Sequence, residues 1–101
     1  MANERKITNA LQHAFSIPVS PERGIGCCRV YVTVSKGSAS AVAKAAQAIN
    51  KTFQRKAHYG MSNALYIGYD NCDGEALARG TAVVRALQAL GIDCSRQEHG
   101  D

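Results

Sequence analysis

The chain has 101 residues, with 46% apolar and 20% charged residues and a net charge of +4. That balance fits one globular domain and argues against a disordered tail or a duplex-DNA packager. No apolar run approaches the roughly 20 residues of a membrane helix, and Met1 to Lys6 does not lead into the apolar stretch of a secretory signal, so a cytoplasmic protein with no membrane partner is expected.

Asn3 to Phe15 predicts an amphipathic helix, because Ile7, Leu11 and Phe15 recur every four residues. Pro18 and Pro21 stop it, and Ile17 to Gly26 predicts a loop. Residues 1–26 are thus set apart, as helix and loop, from an α/β domain over 27–101. Arg29 to Val34 alternates: Val30, Val32 and Val34 take a buried face, and Arg29, Tyr31 and Thr33 the other. A turn with Gly37 leads to an alanine-rich helix from about Ala39 to Lys51, with Val42, Ala45, Ala46 and Ile49 inward. Lys44, Lys51 and Arg55 lie on another side, which reads first as a solvated face.

Phe53 to Tyr59 alternates again, Gly60 to Asn63 predicts a turn, and Ala64 to Asp70 predicts a strand. Leu65, Ile67 and Tyr69 take one side of it, Tyr66 and Gly68 the other; together the two segments predict a hairpin. Asp73 and Glu75 suit the start of a second helix, carried by Leu77, Val84 and Leu87 and closed by Gly91. Gly80 within it predicts close backbone packing. Ile92 to Gln97 predicts the last strand, with Ile92 and Cys94 inward, and Glu98 to Asp101 a tail.

The order is a helix followed by βαββαβ. This predicts an α+β fold: a ferredoxin-like sandwich of one four-stranded antiparallel sheet with two helices on one face. A three-stranded parallel βαβαβ sheet is the alternative if Phe53–Tyr59 continues the preceding helix.

Four cysteines, Cys27, Cys28, Cys72 and Cys94, include no C-x-x-C pair, and the three histidines show no ligand spacing. They are expected as small apolar thiols of a reducing compartment, with no metal. Gly24-Ile25-Gly26 precedes a strand and cannot cradle a phosphate at a helix start. No nucleophile elbow is present; Cys72 stands where a helix start favours a thiolate, which leaves a Cys/His dyad open, but a lone cysteine at a helix start is usually structural. No enzyme activity and no cofactor are expected.

A central pair of strands carrying Arg29, Tyr31 and Tyr66 on one face, with Arg55 and His58 at the rim, is the first candidate binding surface, since Tyr and Arg dominate binding hot spots. Lys44 and Lys51 on the first domain helix form the alternative face. Val30-Tyr31-Val32-Thr33-Val34 and Asn63-Ala64-Leu65-Tyr66-Ile67-Gly68-Tyr69 resemble the first- and third-strand signatures of the RNA-recognition motif. That resemblance implies base stacking on Tyr31 and Tyr66 and a single-stranded RNA or DNA partner. The chain departs from the motif where Ala64 replaces an aromatic, where no Lys/Arg-Gly opens the third-strand signature, and where Val34-Ser35 closes the first. A second resemblance runs from Asn63 to Asn71, then through Gly74, Leu77-Ala78-Arg79-Gly80, Ala86-Leu87 and Gly91-Ile92. It is similar to small accessory proteins of phages and mobile elements, anti-CRISPR proteins among them. It implies a stand-alone inhibitor, monomer or homodimer, that docks on a host protein or ribonucleoprotein complex such as Cas proteins. A small ligand-binding regulatory domain is the third reading.

Overall fold

The structure is a computed structural model that describes residues 3–23, 26–56 and 58–100, apart from the side chain of His58. Helix α1 (Glu4–Ser16) begins where the Asn3 side chain accepts a hydrogen bond from the Lys6 amide at 2.9 Å, a side-chain cap on an otherwise orphan donor. It buries Ile7, Leu11 and Ala14, so Ala14 takes the deep place expected of Phe15, which stays half-buried at the margin. Strand β1 (Cys28–Val34) follows, then helix α2 (Ala39–Ala48). This helix ends earlier than the alanine run suggests. Asn50 turns into the left-handed region at φ 58°, and the Lys51 amide returns to the Ala46 carbonyl at 2.8 Å, the hydrogen-bonding of a left-handed helix end.

Strand β2 (Phe53–Lys56) and strand β3 (Ser62–Asp70) form the expected antiparallel hairpin, with Phe53 opposite Leu65 and Lys56 opposite Ser62. Tyr59, expected as the strand's end, instead lies in a tight turn, His58–Gly60, at φ 65°. Helix α3 (Glu75–Gln88) and strand β4 (Cys94–Gly100) complete the chain. The expected tail is therefore strand: Glu98, His99 and Gly100 pair with Val30, Arg29 and Cys28. The sheet is antiparallel throughout, in the order β2-β3-β1-β4.

One irregularity changes which residues share a face. Between β1 and β3 the register steps at Val30/Tyr31, so that Tyr31 faces Tyr66 but Val30 faces Gly68, and Ile67 is the extra residue. The expected alternation of Ile67, Gly68 and Tyr69 is broken there. Gly68 is expected on the open face, but a Cβ on it would touch Ala76 of α3 at 3.8 Å, so it lies on the helix side. Tyr69, expected on the helix side, stands opposite Arg29 in the register.

One main core joins Ile7 and Leu11 of α1, Val32 and Val34 of β1, Val42 and Ala46 of α2, Leu65 of β3, and Val83 and Leu87 of α3. Its burial of aliphatic side chains, at roughly 1.5–3 kcal/mol each, is the main force holding the layers together. Helices α2 and α3 cover one side of the sheet, and the N-terminal helix α1 packs against both of them on that same side. The opposite face of the sheet is left without a helix among the described residues.

The cysteines also differ from expectation. Cys27 and Cys72 form a disulfide across 45 residues of sequence, with Cα atoms 4.6 Å apart. Sequence spacing cannot reveal this pair, because the contact is made by the loop after α1 crossing the start of α3. Cys28 and Cys94 remain thiols. Cys28 is buried with Val30 and Leu77, as expected of a small apolar residue. Burial pushes the Cys94 thiol above its ordinary value, with Asp93 adding to the shift.

Candidate docking face

Strand parity assembles the helix-free face. Tyr31 on β1 pairs with Tyr66 on β3 and Gln97 on β4, and Arg29 pairs with His99. The Tyr31 and Tyr66 rings meet edge to face with centroids 5.3 Å apart, and Tyr31 meets His99 in the same manner at 6.1 Å. The hairpin turn then brings Tyr59 onto His99 as a parallel stack at 4.5 Å. Met61 and Ala64 fill the space beside Tyr31.

This arrangement ranks the aromatic residues. Tyr31 is 4% exposed and belongs to a small second core. Tyr66 is half-buried against it, whereas Tyr59 is 61% exposed. Nε2 of His99 is buried with no hydrogen-bond partner among the described residues. A buried nitrogen of this kind costs about 1–3 kcal/mol.

Charge on this face has one sign. Arg29 is exposed at one end, and Lys56, whose parity is opposite to that of the core-facing Phe53, is exposed at the other. The described carboxylates lie elsewhere: on α1, in the loop after it, around the start of α3, just before β4, or bonded to Arg96.

The structure redistributes the other expected site residues. Arg55 does not rim the open face: it donates to the Ser40 hydroxyl of α2 at 3.1 Å and lies 5.8 Å from the Phe53 ring, so it belongs to the helix side. The side chain of His58 lies outside the described residues. Lys44 is exposed on α2, while Lys51 sits over the Phe15 ring at 4.3 Å, a cation–π contact that joins it to α1. Lys44 and Lys51 therefore belong to different local settings.

Two residues that the sequence patterns do not single out organise the helix side. Arg96 donates to Glu22 at 2.9 Å, to Glu98 at 2.7 Å, to the Thr81 hydroxyl at 2.8 Å and to the Leu77 carbonyl at 2.9 Å. Hydrogen bonding to Thr81, then to Arg96, holds the Glu22 carboxyl below its ordinary value. Desolvation works against the charge on Arg96, but Glu22 and Glu98 outweigh it and leave its pKa raised. Arg79 donates to the Ala14 and Ile17 carbonyls at the end of α1, where a cation suits the negative pole of the helix.

A cavity of about 480 Å³ lies between the loop and the start of α3, lined by Glu22, Arg23, Asp70, Cys72 and Asp73 among others. Its carboxylates are already committed. Asp70, 1% exposed, accepts from the Gly74 and Leu77 amides at 3.0 and 3.1 Å, and Asp73 accepts from the Glu75 amide. These are helix-capping bonds and leave no paired acid and base among the described residues. Cys72 is held in the disulfide and presents no thiolate.

His99 and Tyr59 are the site residues that sequence reasoning missed. The alternation Ser95, Gln97, His99, continued past Gln97, would have placed His99 beside Arg29. The Tyr59 stack depends on the shape of the hairpin turn and has no such signal. No protein-family model, no curated protein and no solved structure matches this chain.

Proposed function

We propose that the chain is a non-enzymatic binding protein that docks an acidic surface of another protein or ribonucleoprotein through its helix-free sheet face. The observation that carries this reading is the exposed Tyr59 stacked on His99, on a face whose exposed charges, Arg29 and Lys56, are both positive and that holds no described carboxylate. An exposed aromatic on a face of positive charge has the composition of an interface hot spot, and the charge steers an anionic partner toward it. The order β2-β3-β1-β4, with α2 and α3 as crossovers, supports reading the scaffold as ferredoxin-like with an added N-terminal helix.

The resemblance to phage and mobile-element accessory proteins gives the partner class: a host defence complex of the CRISPR type, met in the cytoplasm. Stacking of nucleic-acid bases on Tyr31 and Tyr66 is the less favoured reading, because Tyr31 is buried beside Met61 and its ring meets Tyr66 by the edge.

The test is co-expression with CRISPR–Cas systems of the different types during phage challenge, together with binding to the purified complexes. The expected result is loss of interference with one type and a complex with its Cas proteins that the double substitution Arg29→Ala, Tyr59→Ala weakens at least about tenfold. Salt-sensitive binding to single-stranded oligonucleotides, with no effect on any Cas system, would replace this function with the RNA-recognition-motif reading.

A further inference from the structure

We infer that the outer edge of strand β4 is a self-association edge: two copies of the chain pair β4 with β4, antiparallel and centred on Gln97, and so join their four-stranded sheets into one. The pairing uses the backbone of the edge, not Arg29 or Tyr59, and does not rest on the function proposed above.

The two edges of the sheet are unlike. In the order β2-β3-β1-β4 the outer strands are β2 and β4. Strand β2 is four residues long and ends in two adjacent cations, Arg55 and Lys56, the short and charged kind of edge that discourages pairing. Strand β4 is seven residues long, contains no proline and runs against β1 in one unbroken register from Cys94 to Gly100. A Cβ on Gly100 would meet nothing within 4 Å, so that end of the edge is open.

Hydrogen-bond parity says which residues of β4 face outward. The Ser35 amide donates to the Asp93 carbonyl at 3.0 Å, and these two residues continue the register that sets Val34 opposite Cys94. Bonded pairs alternate with non-bonded pairs along an antiparallel ladder. The pairs bonded between β1 and β4 are therefore Thr33–Ser95, Tyr31–Gln97 and Arg29–His99. The Tyr66 amide, which donates to the Thr52 carbonyl, sets the same phase from the other side: Leu65 then bonds Val32, which leaves Tyr31 and Thr33 to β4. The N–H and C=O groups of Cys94, Arg96, Glu98 and Gly100 thus point to the free edge. Among the described residues, no backbone group outside the sheet bonds to them.

Charge selects the register and the partner. Centred on Gln97, a second copy sets its Glu98 opposite Arg96, its Arg96 opposite Glu98, and its Gly100 opposite Cys94. All of these are outward-facing residues, so each pair exchanges two backbone hydrogen bonds. Moving the centre to Glu98 or to Arg96 keeps the outward parity but places Glu98 against Glu98, or Arg96 against Arg96, and like charges directly opposite are destabilising. The same patch meets itself across a two-fold axis, the usual form of a homodimer. The groove beside the strand, between β4 and α3, has Glu22, Glu98, Arg85 and Arg96 as its charged lining, two of each sign. Two copies therefore bring no net charge together there.

Sedimentation equilibrium of the full chain, with disulfide crosslinking, tests the pairing. The expected result is a reversible monomer–dimer equilibrium. Glu98→Arg sets like charges opposite each other and should weaken the dimer at least about tenfold, as should Arg96→Glu. An equimolar mixture of these two variants should recover a dimer, because every opposed pair is then Glu with Arg. In a second arm, Gln97→Cys and Ser95→Cys are each made in a Cys94→Ser background, with circular dichroism to report the fold. Mild oxidation should join Gln97→Cys chains, whose substituted positions meet on the axis. It should leave Ser95→Cys chains apart, because Ser95 lies opposite His99 of the second copy. If the charge variants fail to fold, the cysteine pair decides alone. A chain that stays monomeric at millimolar concentration overturns the inference. So does a dimer that folded Glu98→Arg leaves intact, or Gln97→Cys chains that join no faster than Ser95→Cys chains. Cas binding is measured in none of these arms, so their failure is distinct from failure of the docking proposal.

Discussion

Gly74 and Glu22 are in backbone contact: a Cβ on Gly74 would collide with the Glu22 carbonyl oxygen, and Gly74 itself stands at φ 81°. Both facts demand glycine. Gly74→Ala is expected to cost about 2–5 kcal/mol, the left-handed penalty plus the clash. Gly91, at φ 80° with nothing within 4 Å of the position a Cβ would take, serves as the control and should lose only about 1 kcal/mol on the same change. Urea denaturation of the two variants measures the difference.

The two tyrosines of differing burial on the open face separate stability from binding. Tyr31→Ala removes a ring that is 4% exposed and packed with Met61, Ala64 and Tyr66, and should cost about 3–5 kcal/mol of stability. Tyr59→Ala removes a 61% exposed ring and should cost less stability than Tyr31→Ala, with about 0.5–1.5 kcal/mol of it from the stack on His99, while weakening partner binding about tenfold. Thermal melts and partner titrations on both variants check the pairing; equal loss of affinity with no loss of stability would show Tyr31 to be accessible after all.

Glu22 makes stability depend on acid. Its folded carboxyl titrates below the ordinary value of 4.5, through Thr81 and Arg96, so the charged form is the one that folding favours. The contribution is complete above the ordinary value and is lost as pH falls through the lower, folded value. Its side chain is 37% exposed, so solvent screens the pair and the effect is modest. Glu22→Gln should therefore flatten the acid limb of the stability curve below about pH 4.5 and leave its slope near neutrality unchanged, as denaturant midpoints across that range would report.

Local periodicity carried most of the elements. The stripe Ile7, Leu11 and the alternating valines of β1 identify core faces without any tertiary knowledge, and the hairpin follows from alternation on either side of Gly60. What alternation cannot show is a bulge. The extra residue at Ile67 moves Gly68 to the helix side, and only the pairing of β3 with β1 defines it. Contacts distant in sequence were equally hidden: Arg96 to Glu22, Cys27 to Cys72, and Tyr59 to His99 each join segments whose composition gives no reason to meet. The candidate face was thus legible as Arg29, Tyr31 and Tyr66, but its most exposed aromatic is Tyr59, because the turn packs Met61 beside Tyr31 and stacks Tyr59 on His99.

Gly80 is the case in which helix propensity and packing oppose each other. Alanine is favoured over glycine inside a helix by about 1 kcal/mol. A Cβ at Gly80, however, would lie 3.0 Å from Cγ1 of Val30 and 2.9 Å from Cδ of Arg96. Val30 is fully buried on a central strand and its branched side chain has little rotamer freedom, so it cannot yield. Arg96 is flexible in principle, but its guanidinium is held by Glu22, Glu98, Thr81 and Leu77, and moving its stem breaks those bonds. Gly80→Ala is therefore expected to destabilise by about 1–3 kcal/mol despite the better helix former. Combining it with Arg96→Ala separates the two causes. If the Arg96 stem is the obstacle, the alanine at position 80 should cost markedly less in that background, a coupling that a double-mutant cycle reads directly. If Val30 is the obstacle, the cost should be the same in both backgrounds and fall only with Val30→Ala.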